Sequence, residues 1–101
     1  MTTPYTSGIW KVKPGRADDF VAAWTELADW TLANVPGARW AKLLCDHDDD
    51  HRFVSLGPWE NLEAIDEWRS LPGFAERVGR IRELLEGFEP ATLEVVVERG
   101  G

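Results

Sequence analysis

The chain is poor in cysteine, in long apolar runs and in basic charge. Its one cysteine, Cys45, excludes an intrachain disulfide and any zinc site built on cysteine pairs, and suits a packed strand residue. The longest unbroken apolar run is five residues, Phe20 to Trp24, against the roughly 20 that a spanning helix needs. Eleven Lys and Arg against 18 Asp and Glu leave a net charge of −7, so phosphate backbones and anionic lipid are repelled. Nucleic acid and membrane surfaces are therefore not expected partners. The opening Met1-Thr2-Thr3-Pro4-Tyr5 has neither the basic start nor the apolar stretch of a secretion signal, which makes the cytoplasm the expected compartment. Gly-rich phosphate loops and Ser-centred nucleophile elbows are also missing.

What is present fits one globular domain over residues 1–101, with 44% apolar and 29% charged residues. The unusual feature is six tryptophans, at positions 10, 24, 30, 40, 59 and 68. Each brings a wide apolar face and one N–H donor, which serves a pocket for a flat ligand, a core or an interface equally well.

Apolar periodicity and turn chemistry divide the chain. Tyr5 to Lys13 reads as a strand stopped by Pro14-Gly15. Phe20, Ala23, Trp24, Leu27 and Trp30 recur at helical spacing up to about Asn34, ahead of Pro36-Gly37. Arg39 to Cys45 and His51 to Gly57 read as strands of a hairpin whose loop is Asp46-His47-Asp48-Asp49-Asp50. Leu62, Ile65 and Trp68 mark a short helix broken at Leu71-Pro72-Gly73. Phe74, Val78, Ile81 and Leu85 form the stripe of another helix ending near Gly87, and Thr92 to Glu98 is the most β-prone stretch.

The order β-α-β-β-α-β predicts a ferredoxin-like α+β sandwich, a four-stranded antiparallel sheet with helices on one face. Both strand parities carry apolar side chains, as with Phe53 against Val54 and Leu56, and no element remains to cover the second face. A homodimer joined through that face is the expected solution. The tract Asp46 to His51 holds both histidines and four carboxylates, but its spacing matches neither a helical two-histidine site nor a calcium loop. It reads as a solvated hairpin tip, and no metal is expected.

The segment from Arg52 to Arg69 carries a family signal: a strand ending in Trp59-Glu60, a short helix with Ala64 and Trp68, then a break and Phe74 opening a helix. Together with Val12-Lys13-Pro14-Gly15, Phe20, Trp24 and Val35-Pro36-Gly37, this resembles the antibiotic biosynthesis monooxygenase family over nearly the whole chain. The resemblance implies a dimeric α+β barrel with a site between helices and sheet. One branch of that family oxidises phenolic polyketides with molecular oxygen and no cofactor; another degrades haem. The haem branch's asparagine, tryptophan and histidine fall at Gly8, Trp68 and Val78, and valine offers iron no ligand. The phenol-oxidising branch's asparagine, tryptophan and tyrosine fall at Ser55, Trp59 and Ile65.

Ser55 and Trp59 share strand parity, so the hydroxyl and the indole N–H are expected to meet one substrate oxygen as the catalytic donors. Trp24, Phe53, Trp68 and Phe74 are the expected walls, with core packing as their alternative duty, and Arg69 and Arg77 are candidate anion partners near the mouth. The function expected is cofactor-independent monooxygenation of an aromatic, phenolic or quinone-type small molecule. A non-catalytic dimeric binding module and a related polyketide cyclase are the alternatives.

Overall fold

A computed structural model describes residues 2–100; Met1 and Gly101, the two ends of the expected domain, lie outside the described residues. The elements are β1 (Pro4–Val12), α1 (Ala17–Asn34), β2 (Lys42–Asp46), β3 (Asp49–Pro58), α2 (Leu62–Ser70), α3 (Pro72–Arg82) and β4 (Leu85–Glu94). The strands form one antiparallel sheet in the order β2-β3-β1-β4, the expected ferredoxin-like α+β arrangement with its second helical segment split in two. No described helix is long and apolar enough to cross a membrane.

Local chemistry sets the helix ends. Asp18 and Asp19 occupy the first turn of α1, where the helix dipole favours negative charge. Asn61 caps α2 by accepting the Ala64 N–H at 2.9 Å. Leu71 adopts an extended conformation that separates α2 from α3, and Pro72 then starts α3, where its missing N–H costs nothing.

Strand parity puts Trp10 and Val12 of β1 and Phe53 and Ser55 of β3 on the helix-facing side. There Phe20 and Leu27 of α1 and Val78 and Ile81 of α3 close the main core with them. A satellite core of Val35, Trp59 and Ile65 sits beneath α2. On the outer face Ile9 lies opposite Val54 and Val54 opposite Leu44, with Leu56 further along β3. Leu44 and Leu93 are 51% and 49% exposed in the single chain, so this apolar face is uncovered.

Several boundaries differ from those expected: α3 ends at Arg82 and not near Gly87, so Leu85 belongs to β4 and not to a helical stripe. β4 runs from Leu85 to Glu94 rather than from Thr92 to Glu98, and Val96 and Val97, at 89% and 69% exposed, lie beyond it. The reason is tertiary. Leu85 pairs with Val12, and Lys13 N–H bonds Leu84 O at 2.9 Å, so the chain joins the sheet as soon as α3 ends. Phe88 then stacks on Trp10 with centroids 4.1 Å apart, a contact that outweighs the higher β-propensity of the valines. β2 begins at Lys42 instead of Arg39, with only an isolated bridge between Ala38 and Trp59 before it.

The hairpin loop is two residues, His47-Asp48, rather than five, because Asp46 already pairs with Asp49. Asp46 accepts the Asp48 N–H at 2.8 Å and an Arg52 N–H at 3.0 Å. The backbone N–H of Asp48 is the main cause that holds the Asp46 carboxyl below its ordinary range, so this contribution to stability fades on acidification.

Candidate functional site

A cavity of about 460 Å³ lies between the sheet and the helices. Its floor is the helix-facing side of β1, β3 and β4, with Thr6, Trp10, Ser55 and Phe88. Trp24, Leu27 and Thr31 of α1 form one wall, and Trp68 of α2 with Phe74 and Val78 of α3 form another. Trp59 sits at the junction of sheet and α2 and packs at a tilt against Trp68, with centroids 4.8 Å apart, and Trp68 in turn meets Phe74 edge-on at 4.6 Å. The aromatic wall is thus continuous from the sheet to α3.

Five of the six expected site residues line this cavity: Ser55, Trp59, Trp24, Trp68 and Phe74. Phe53 does not. It packs under Phe20 with centroids 5.0 Å apart and belongs to the main core, because it lies one pair further along β3, opposite Trp10. Of the two candidate arginines, Arg69 lines the cavity and donates to Thr92 Oγ1 at 3.2 Å. Arg77 lies elsewhere, stacked over Trp30 at 4.6 Å and donating to Gly73 O at 3.1 Å.

The donor geometry differs from the expectation as well. Trp59 Nε1 donates to Thr6 Oγ1 at 2.9 Å, so its indole N–H is spent inside the protein rather than aimed at a substrate. Ser55 Oγ accepts from Trp10 Nε1 at 2.9 Å. Ile65, at the phenol branch's tyrosine position, is 1% exposed in the satellite core and is not among the lining residues.

Trp10, Thr6, Thr31, Phe88 and Arg82 are among the lining residues that the sequence does not single out. The signal for two of them was present in β1, where Thr6, Gly8 and Trp10 share one parity. Gly8 is part of this design: a Cβ there would meet Trp10 Nε1 at 2.9 Å and Phe88 Cε1 at 3.0 Å. The absent side chain leaves room for the Trp10 ring to lie along the floor and reach Ser55 opposite Gly8.

Electrostatically the lining is one-sided. It contains no Asp, Glu, His or Cys and two arginines, Arg69 and Arg82, neither in an ion pair among the described residues. A chain with a net charge of −7 thus keeps its carboxylates out of this cavity. Away from it, Asp49, Asp50 and His51 bring ligand atoms within 4.8 Å of one another at the hairpin. The two carboxylates already have neighbours, with Asp50 3.1 Å from His51 Nδ1 and Asp49 3.7 Å from Lys11 Nζ.

Comparison with known proteins agrees with this architecture. The family model for antibiotic biosynthesis monooxygenase matches residues 8–80. Among solved structures, a variant of SnoaB, a cofactor-independent oxygenase from Streptomyces nogalater, superposes with a TM-score of 0.87 at 21% identity, covering 95% of each chain. A conserved protein from Methanosarcina mazei superposes at 0.83 with 18% identity over 92% of each chain. At such identities the likeness is one of fold. None of the curated proteins compared with the chain matches it in sequence. The matched span, running from β1 into α3, makes this chain a member of the antibiotic biosynthesis monooxygenase family.

Proposed function

We propose that the chain is a cofactor-independent monooxygenase of an aromatic, phenolic or quinone-type small molecule, working as a cytoplasmic homodimer joined through its outer sheet face. The observation that carries this reading is the tryptophan-walled cavity with hydroxyls on its floor and no carboxylate in its lining. A volume of about 460 Å³ suits a small polycyclic ligand, and flat indole walls suit its faces. Family membership and the fold shared with SnoaB support the same reading.

The chemistry fits such a lining. With no protein base in the cavity, the substrate has to ionise by its own acidity, and hydroxyl donors with nearby arginines favour the anion. The electron-rich anion then supplies the electrons that oxygen needs. A ring CH₂ becomes C=O, one oxygen atom entering the product and the other leaving as water. The protein binds and orients the ring, stabilises its oxyanion and excludes water.

The binding-module reading has one observation in its favour, the commitment of the Trp59 N–H to Thr6 instead of to the cavity. A panel of anthrones and hydroxyquinones separates the readings. A monooxygenase is expected to show quenched tryptophan fluorescence, a raised melting temperature and product formation in air but not under nitrogen. At a hundredfold excess of ligand over its Kd the stabilisation should be about 2.7 kcal/mol. Binding without turnover favours the module, and turnover under nitrogen favours the cyclase. No quench and no thermal shift across the panel contradicts a ligand site.

A further inference from the structure

Three indole N–H groups each end on a hydroxyl at 2.9 Å: Trp68 on Thr31, Trp10 on Ser55 and Trp59 on Thr6. The pairs are alike in distance and differ in what the hydroxyl does next. Thr31 Oγ1 donates onward to Leu27 O at 2.7 Å, so that chain of hydrogen bonds closes within α1. Ser55 and Thr6 donate to no acceptor among the described residues. A hydroxyl whose oxygen accepts an N–H keeps one proton to give, and accepting that bond makes it a better donor.

Both open hydroxyls lie on the cavity floor. Ser55 stands opposite Gly8 and Thr6 opposite Gly57, which makes them diagonal neighbours on one face of the β1-β3 pair. Such positions are about 7 Å apart at Cβ, close enough to serve one substrate oxygen or two neighbouring ones. Neither position 8 nor position 57 adds a side chain beside the hydroxyls: the space over Gly8 holds the edge of the Trp10 ring and Phe88, and Gly57 packs against the backbone of Trp40 and Ala41.

We infer that Ser55 and Thr6 form a two-hydroxyl oxyanion site for a phenolate or enolate, with Trp10 and Trp59 as positioning residues that act through them. This rests on the reading that the cavity takes an ionisable aromatic ligand, and it assigns the stabilising contacts to hydroxyls held by indoles instead of to the Trp59 N–H itself. Each indole N–H occupies one acceptor position of its hydroxyl oxygen and holds that oxygen in place, which leaves the hydroxyl proton to be given to a ligand. Trp10 gains this role because Gly8 leaves room for its ring and Phe88 stacks on it.

The test uses alizarin, a hydroxyanthraquinone whose colour reports its ionisation, titrated on the intact protein. The bound dye is expected to ionise about one pH unit below the free dye, a tenfold preference for the anion. Ser55→Ala and Thr6→Val should each give back part of that shift, and Thr6→Ser should retain it. Trp10→Phe keeps an aromatic ring against Phe88 but loses the N–H together with part of the indole's area; it should give back the Ser55 share, and combining it with Ser55→Ala should add nothing further. Near-ultraviolet circular dichroism confirms folding of each variant. A dye that binds with its free ionisation, or Trp10→Phe and Ser55→Ala effects that simply add, overturns the inference while leaving the cavity as a ligand site. Failure of alizarin and of the anthrone panel alike to bind overturns both.

Discussion

Replacing Val54 by aspartate is expected to turn the proposed dimer into monomers of 11.4 kDa in sedimentation at micromolar concentration. Val54 occupies the middle of the outer sheet face, between Ile9 on β1 and Leu44 on β2. In a dimer joined through that face a carboxylate there is buried without a partner, which costs several kcal/mol, far more than rearrangement of neighbouring side chains recovers. In a lone chain Val54 is only half-buried, and a charge there is readily hydrated. The substitution therefore separates the two situations by a change of mass instead of a small change in stability. Wild type sedimenting at 11.4 kDa at that concentration contradicts the dimer.

Phe20→Ala is expected to cost about 3–5 kcal/mol of unfolding free energy, the range for truncating a fully buried aromatic residue. Phe20 is completely buried and stands between Trp10 and Phe53, with centroids at 5.4 and 5.0 Å. Its removal opens a void under the Trp10 ring, so the loss of stability should be accompanied by weaker ligand binding through the cavity floor. Against the 5–15 kcal/mol typical of a whole domain, that is a large fraction. Denaturant midpoints measure it, and a loss below about 1 kcal/mol would show that the site collapses around the change without leaving a cavity.

The sheet, the helices and their order are legible in the sequence because periodicity and turn residues are local. Phe20 to Trp30 at helical spacing, Pro14-Gly15 and Pro36-Gly37 mark their elements without reference to anything distant. β4 is not legible in this way. The valines after Glu94 have the higher strand propensity, yet the strand is set by pairing with β1 and by the stacking of Phe88 on Trp10. The site follows the same division. Side chains on one element, such as Trp24 or Trp68, are placed by their own spacing. The partner of each indole N–H depends on register between strands, so the pairing of Trp59 with Thr6 and of Trp10 with Ser55, 53 and 45 residues apart, cannot be read from spacing along one strand.

The most direct test of the central claim is a turnover of an anthrone by purified protein under ¹⁸O₂, without added cofactor, with the product analysed by mass spectrometry. The expected result is one labelled oxygen atom in the new carbonyl of the quinone, faster than in buffer alone and slowed in Ser55→Ala. A product whose new oxygen comes from water, or a rate no greater than the spontaneous oxidation, would contradict the assignment of this cavity as a monooxygenase site.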